Sequence, residues 1–343
     1  IYDLASITKV AATTLAIMKL YENDKVDLNQ TLKHYLPNLK GTSVGNLVIK
    51  NIMAHQAGLP SWIPFYKATV EDSVYNNWYQ VDSNAAYCVK VADNLFMCKD
   101  SINYIWKTID GVEIKENPDY RYSDLGFYLL MEVVEKQSGM SLDEYVSKYF
   151  DEPMELQNIG FNPHNKFDLS RIPPTENDTI FRKQVVQGYV HDPGAAMLGG
   201  VCGHAGLFSN AIDLAELFQM LNNGGTYNGV RYLKEKTINY FNTVHFKDND
   251  NRRALGFDKP VLPNKKTGER KGGPTAPMVS DKCFGHTGFT GTAVWADPEY
   301  NLVYVFLSNR TYPYATTNTL AKENIRTDIQ EVIYRAMKHK DVN

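Results

Sequence analysis

The chain has 343 residues, of which 43% are hydrophobic and 22% charged, with a formal net charge of -3. This composition supports a folded core and excludes an intrinsically disordered chain, and the length suits one large domain or two lobes. The small negative charge provides no basic face for nucleic acid or anionic lipid. No apolar run reaches the roughly 18 residues of a membrane span.

Helical patterns separated by polar turns occupy most of the first two thirds of the chain. The periodicity of apolar residues predicts helices at residues 4–21, 47–54, 125–136 and 211–221. Asn210 is the expected cap of the last of these helices. Ser141 and Glu144 have the spacing of a capping box, in which each side chain satisfies a free backbone N–H group. Residues 61–118 are polar and aromatic without a regular pattern, and we interpret them as an irregular insertion.

The end of the chain changes to β-branched and aromatic residues. Residues 290–296 and 302–307 predict the two strands of a hairpin, and residues 320–337 predict a closing helix. The predicted fold class is α/β (α+β), in a single domain over residues 1–343. An α/β lobe is expected from residues 1–40 and 225–343, with a mostly helical lobe from residues 41–224 and a site between the lobes.

Ser6 and Lys9 form an S-x-x-K pattern at the start of the first predicted helix. Positions three apart share a helical face, so the hydroxyl and the amine can meet. A serine hydroxyl needs a base, and a lysine acts as one only when its pKa is lowered, which apolar neighbours can achieve by burial. The pattern also arises by chance in large proteins, where it is a helix cap followed by a solvated lysine.

Two further motifs favour a catalytic Ser6–Lys9 pair over a chance occurrence of the pattern. Tyr122-Ser123-Asp124 precedes an apolar helix, and His286-Thr287-Gly288 precedes a predicted strand that begins at Phe289. With S-x-x-K, these motifs resemble the S-x-x-K, Y-x-N and K-T-G triplet of serine β-lactamases, penicillin-binding D,D-peptidases and related esterases. Residues 47–60 and 203–209 also resemble segments of that family. The resemblance extends from residue 1 to about residue 335.

The resemblance implies a β-lactamase/transpeptidase-like fold, with an antiparallel sheet flanked by helices. It also implies acyl transfer, in which Ser6 attacks a carbonyl while Lys9 and Tyr122 share the serine proton. The backbone N–H groups of Ser6 and Phe289 are the expected oxyanion donors, with Gly288 beside them. Asp124 and His286 are expected to orient substrate and protons, and Gly288 and Phe289 are expected to contribute to substrate binding. No metal and no cofactor are expected.

Two positions depart from the family pattern. Asp124 stands where the family often has Asn, and His286 stands where β-lactamases and peptidases have a lysine that recognises a substrate carboxylate and supports the tyrosine. A histidine is only partly charged near neutral pH, which argues against true β-lactamase activity. We expect an esterase or amidase acting on cell-wall or peptide material. A D,D-carboxypeptidase, a D-aminopeptidase, a weak β-lactamase and a catalytically inactive binding module remain as alternatives.

One subgroup of the family shares more of the sequence. Residues 63–67, 91–95 and 288–299 resemble the β-lactamase-type domain fused behind family 3 glycosidases in Bacteroidetes. This likeness implies a glycosidase upstream, and the family resemblance implies a periplasmic or cell-envelope location. Domains of the family normally begin with two strands that pair with the C-terminal hairpin, and these strands are expected to be missing here. The isolated chain is then expected to aggregate through an open sheet edge, unless a segment such as residues 230–233 fills the gap.

Several other patterns are interpreted as structural. Lys266-Thr267-Gly268 spells K-T-G within a charged loop, and residues 41–45 spell G-x-S-x-G without the strand that a nucleophile elbow needs. His55 and His204 are interpreted as structural histidines, and His191-Asp192 as a loop pair.

The four cysteines have no metal-ligand spacing. Cys88 and Cys98 are close enough in sequence for a disulfide, although two buried free thiols are the favoured interpretation.

Overall fold

The structure is a computed structural model that describes residues 1–71, 74–264, 266–270 and 272–340. The α-helices are α1 Thr14–Glu22, α2 Leu32–Tyr35, α3 Ile49–Met53, α4 Tyr75–Trp78, α5 Ser101–Asp110, α6 Leu125–Ser138, α7 Leu142–Val146, α8 Pro193–Met197, α9 Ala211–Asn222, α10 Glu235–Phe241, α11 Thr319–Lys322 and α12 Ile325–Lys340. The strands are β1 Tyr2–Asp3, β2 Tyr79–Gln80, β3 Tyr87–Ala92, β4 Leu95–Cys98, β5 Gly160–Phe161, β6 Glu176–Asp178, β7 Gln184–Val186, β8 Leu207–Ser209, β9 Thr226–Tyr227, β10 Val230–Arg231, β11 Phe284–Thr287, β12 Ala293–Asp297 and β13 Leu302–Phe306.

The helix boundaries follow the capping signals of the sequence. Helix α6 is apolar on most of its surface and ends at Gly139, which adopts a left-handed φ of 71°. The capping box of Ser141 and Glu144 is present at the start of α7. The Asn210 side chain accepts the Asp213 N–H at 2.8 Å and begins α9. These predictions are confirmed.

The helical segment that carries the S-x-x-K pattern is irregular. A tight 3₁₀ turn at Ala5–Ile7 leads into a wider π-type segment at Lys9–Thr13, and only then into α1. The predicted extent of this helical segment, residues 4–21, agrees with the structure, but the prediction of a regular α-helix over it is wrong. Single π-type turns within helices are concentrated at functional sites, because they change the direction in which side chains project.

The C-terminal sheet has the antiparallel order β11–β12–β13. Strands β12 and β13 pair Trp295 with Tyr304, which confirms the predicted hairpin. The expectation that His286 opens a strand beginning at Phe289 is wrong, because His286 lies inside β11 and β12 begins at Ala293. A turn separates the two strands, in which Gly291 N–H donates to the Gly288 carbonyl.

Strand β13 forms one edge of this sheet. Within the described ranges, no strand pairs with its outer side. Strand β10 pairs with β9 and does not fill the gap. The short strand β1 precedes Ser6 but pairs with β8 rather than with the hairpin. The expected aggregation of the isolated chain stays a prediction.

Residues 61–118 are more ordered than the sequence indicates. Strands β2, β4 and β3 form a small antiparallel sheet, and α5 buries Ile105 and Ile109 in the main core. The interpretation of an irregular insertion is therefore wrong in its local structure. Cys88 and Cys98 lie on this sheet as free thiols, one exposed and one half-buried, so the expectation of free thiols is confirmed and that of burial is wrong.

The described helices and strands enclose a large hydrophobic core that joins both ends of the chain, such as Leu4 and Val294, to the middle, such as Leu129. None of the helices in the described part of the chain has both the length and the apolar content that crossing a bilayer requires.

Candidate active site

Ser6 is presented by a strained turn. Ala5, directly before it, has a φ of 46°, in the left-handed region that costs a residue with a Cβ about 1 kcal/mol or more. The Asp3 carboxylate secures this turn: Oδ1 accepts the Ala5 N–H at 2.8 Å, and Oδ2 accepts the His191 N–H at 2.6 Å. The sequence motifs gave no signal for Asp3.

Lys9 lies directly behind the serine hydroxyl. Its fully buried ammonium nitrogen donates to Ser6 Oγ at 2.9 Å and to the His204 carbonyl at 3.1 Å. The same nitrogen lies 2.7 Å from Asp124 Oδ1, with ion-pair rather than hydrogen-bond geometry, and 5.1 Å from the centre of the Tyr122 ring. The fold thus brings the S-x-x-K and Tyr-Ser-Asp motifs, which are at least 113 residues apart in sequence, together around the Lys9 ammonium group.

The protonation of this cluster differs from the expectation. Burial acts to lower the pKa of Lys9, but the Asp124 carboxylate and the Tyr122 hydroxyl outweigh it, and the pKa is raised. Burial also raises the pKa of Tyr122, despite the opposing charges of Lys9 and Arg253. The direction of the Lys9 pKa is opposite to the lowering that a lysine base needs, and the two shifts favour a cationic Lys9 and a neutral Tyr122.

His55 holds the Tyr-Ser-Asp motif in place. Its Nδ1 accepts the Ser123 N–H at 3.1 Å, its carbonyl accepts the Arg121 N–H at 3.1 Å, and its ring lies 4.5 Å from the Tyr122 ring. The Ser123 hydroxyl donates to the Pro60 carbonyl at 2.6 Å. The interpretation of His55 as a structural histidine agrees with these contacts.

The turn after β11 packs closely against the nucleophile segment. The Thr290 hydroxyl donates to the Asp3 carbonyl at 2.7 Å, and a Cβ placed on Gly288 would lie 2.5 Å from the Leu4 carbonyl oxygen. Only glycine therefore fits at position 288. Phe289 follows with a side chain that is 54% exposed and stacked under the Arg310 guanidinium at 4.4 Å.

The backbone N–H of Phe289 has no acceptor within the described part of the chain. The Ser6 N–H lies in the first turn of its helical segment, where N–H groups lack intrahelical acceptors. Both groups fit the expected role of oxyanion donors.

His286 is buried and makes two contacts through its ring. Nδ1 lies 2.7 Å from the Thr287 carbonyl oxygen, and Nε2 lies 2.8 Å from Nη1 of Arg253. Burial, followed by the charges of Arg253 and Lys9, lowers the pKa of His286 well below its usual value. The histidine is therefore neutral rather than partly charged. Arg253 gave no signal in the sequence because it lies outside the three motifs.

Over residues 1–326 the sequence matches the Beta-lactamase family. The chain belongs to the beta-lactamase family. An N-acetylmuramyl-L-alanine amidase of Bacillus subtilis (strain 168) is 32% identical over 330 residues, which cover 91% of this chain and 68% of the relative. A Salmonella typhimurium protein named "Putative D-alanyl-D-alanine carboxypeptidase" is 32% identical over 332 residues, which cover 91% of this chain and 69% of that protein.

A solved structure shares the fold of this beta-lactamase-family hydrolase. The octameric penicillin-binding protein homologue from Pyrococcus abyssi has a TM-score of 0.59 with 20% sequence identity, covering 91% of this chain and 63% of its own. At that identity the likeness supports the fold alone. The predicted β-lactamase/transpeptidase-like fold and the predicted class of serine hydrolase are confirmed.

His204 contributes to the site of this family member through its backbone. Its ring is fully hydrogen-bonded, with Nε2 2.9 Å from Asp192 Oδ1 and Nδ1 3.1 Å from Cys202 Sγ. Burial opposes protonation, but Asp192 and then Cys202 raise the pKa of His204 to about 10. The charged ring anchors the carbonyl that receives Lys9, so the structural interpretation was right but missed this role.

The other patterns do not form the sites that their sequences spell, although the His191 N–H does bond the Asp3 carboxylate beside the nucleophile. Lys266 is in an exposed loop. Ser43 of the G-x-S-x-G pattern is in a turn, where its hydroxyl donates to the Val112 carbonyl at 3.0 Å. His191 pairs with Glu176 at 2.9 Å and not with Asp192. In the described ranges, no three His, Cys, Asp or Glu side chains are grouped as metal ligands would be.

Proposed function

We propose that this protein hydrolyses an amide or ester of peptidoglycan-type peptide material through an acyl-enzyme on Ser6. The observation that carries the proposal is the contact of 2.9 Å between Lys9 Nζ and Ser6 Oγ, made by a lysine that also meets Asp124 at 2.7 Å. A nucleophile within hydrogen-bond reach of a proton-transfer partner, itself oriented by a third group, is the arrangement that acyl transfer requires.

The protonation states of Lys9 and Tyr122 define the first step. A cationic Lys9 and a neutral Tyr122 hold one proton too many, so the pair must lose a proton before it can accept that of Ser6. Ser6 Oγ then attacks the carbonyl carbon, and the resulting oxyanion lies at the N–H groups of Ser6 and Phe289. The Lys9–Tyr122 pair returns the proton to the leaving group. Water repeats the sequence and releases the acyl product.

The relatives support the substrate class and the location. One relative is named an amidase of N-acetylmuramyl-L-alanine and another a D-alanyl-D-alanine carboxypeptidase. A bond within or at the end of a cell-wall peptide is therefore the proposed target, and the cell envelope the proposed location. An upstream glycosidase stays a prediction, to be tested by the sequence before Ile1.

A second candidate, simple ester hydrolysis, is favoured by His286. By its motif, His286 corresponds to the lysine that recognises a substrate carboxylate in peptidases of the family, and the pKa of its ring is lowered well below the usual value. An enzyme without that charge at that position has less reason to require a free terminal carboxylate on its substrate.

Covalent labelling followed by substrate comparison tests these proposals. The purified protein is treated with a fluorescent phosphonate, and separately with a fluorescent penicillin, with Ser6→Ala as the control. Labelling on Ser6 supports the acyl-enzyme, and its absence under conditions where a known serine hydrolase reacts contradicts it.

Release of D-alanine from an acylated tripeptide ending in D-Ala-D-Ala then separates peptidase from esterase. Turnover of p-nitrophenyl acetate without that release favours the esterase. An inactive binding module labels with neither reagent.

A further inference from the structure

Arg253 lies directly behind the second and third motifs although it belongs to neither. It is 6% exposed, its Nη1 is 2.8 Å from His286 Nε2, and its Cζ is 5.0 Å from the centre of the Tyr122 ring. Its Nη2 lies 3.2 Å from Asp258 Oδ2, and its Nε donates to the Tyr120 hydroxyl at 3.2 Å. These contacts hold the guanidinium in one orientation.

The two contacts of His286 determine its tautomer. A guanidinium has only donors, so Nε2 of His286 must be an unprotonated acceptor. A carbonyl oxygen only accepts, so Nδ1 must carry the hydrogen that it donates to Thr287. Both nitrogens of this buried ring are therefore occupied, and neither can bind substrate. The expectation that His286 orients substrate directly does not fit this geometry.

We propose that Arg253 is a positioning residue that provides the positive charge absent from the third motif. It locks His286 in the neutral Nδ1–H form and, with Cζ 5.0 Å from the centre of the Tyr122 ring, stabilises the anionic form of that side chain. This inference rests on the proposed acyl-enzyme function. The titratable and charged groups that face Tyr122 are Lys9, His55, Asp124, Arg253 and His286. Of these, Lys9 and Arg253 are the cations that lower the pKa of its hydroxyl.

The neighbouring Arg252 offers a matched control. Its Nε lies 2.9 Å from Asp258 Oδ1, so it shares the carboxylate with Arg253, but its side chain is 31% exposed. We expect Arg253→Gln to move the rising limb of the kcat/KM profile to higher pH. At a fixed pH below this limb, kcat/KM should fall about tenfold for each pH unit by which the limb moves. At alkaline pH, kcat should recover. Arg253→Lys should restore part of the activity, and Arg252→Gln should keep the wild-type profile.

A second measurement on the unmodified protein covers the case in which Arg253→Gln does not fold. Proton–nitrogen NMR of ¹⁵N-histidine-labelled protein, with His286→Gln for assignment, should show a neutral Nδ1–H ring that does not titrate between pH 6 and 8. A wild-type pH profile in folded Arg253→Gln, or a His286 ring that titrates in this range, overturns the proposal. Failure of Ser6 to label in the wild type overturns the acyl-enzyme instead, while the NMR result still tests the lock.

Discussion

Two ion pairs, each of a buried cation and a half-buried carboxylate, lie side by side in this protein. Lys9 meets Asp124 at 2.7 Å, and His204 meets Asp192 at 2.9 Å, with the His204 carbonyl 3.1 Å from the Lys9 nitrogen. Both pairs have a potential nucleophile next to the cation: Ser6 for the first and Cys202 for the second. On contacts alone, Cys202, His204 and Asp192 resemble a catalytic triad.

Access distinguishes the two pairs. Ser6 is partly exposed, whereas Cys202 is completely buried and the His204 ring stacks on Tyr128 at 4.4 Å. Asp192 is also committed, because its Oδ1 accepts the Ala195 N–H at 2.8 Å. A nucleophile, a base and an acid in hydrogen-bond contact are therefore insufficient for catalysis. Ser6 of the first pair is accessible from solvent, whereas the second pair holds the carbonyl that accepts a hydrogen bond from Lys9.

The largest expected effect separates the two nucleophiles. Ser6→Ala should lower ester or amide turnover by roughly 10⁴-fold or more and abolish phosphonate labelling, because no other group can form the acyl-enzyme. Cys202→Ala should leave kcat/KM near that of the wild type and cost about 1–2 kcal/mol of unfolding free energy through the lost contact with His204. Turnover assays and thermal unfolding of both variants check this. Full activity in Ser6→Ala would show that the wrong pair had been chosen.

The next effect concerns the third motif. His286→Ala should lower kcat/KM by about 10²-fold, because the ring fixes Arg253 and loss of that support displaces the groups around Tyr122. Lys266→Ala should change nothing, since that side chain is exposed in a loop. Steady-state kinetics of the two variants under identical conditions give the ranking. Equal or reversed losses contradict the assignment of the motif.

A smaller effect is expected in the pH dependence of stability. The pKa of His204 is raised from 6.5 to about 10 in the folded state, so its charge stabilises the fold fully below pH 6.5. That contribution is lost as the pH rises toward 10. His204→Gln should therefore be less stable than the wild type at pH 6 and differ from it less at pH 10. Urea unfolding at the two pH values measures the difference, and a gap that widens with pH contradicts this role.

The smallest effect tests the strained turn before Ser6. Ala5→Gly removes the cost of a left-handed alanine, about 1 kcal/mol, which offsets the greater freedom of glycine in the unfolded chain. Its unfolding free energy should stay close to that of the wild type. The control Ala16→Gly, at a buried position within the regular helix α1, should lose about 1 kcal/mol or more. Similar losses in both variants contradict the presence of strain at position 5.

The three motifs and the main helices and strands could be identified from the sequence alone. Helix α6, the capping box at Ser141, the α9 cap at Asn210 and the β12–β13 hairpin depend on local periodicity and on side chains within a few residues, which a linear pattern records. The S-x-x-K spacing suggested Ser6 and Lys9, whereas the choice of Tyr122 and the catalytic roles came from the resemblance to the family's three motifs. The order in the 61–118 segment was missed because its short strands are stabilised by one another and by the core.

Only the tertiary structure decided the electrostatics of the site. The raised pKa of Lys9 depends on Asp124, 115 positions away in sequence, and the neutral state of His286 depends on Arg253. Asp3 and His204 likewise act through groups more than 180 residues distant. Burial and charge act through space over a few ångströms, so the protonation of each group depends on neighbours that only folding brings together.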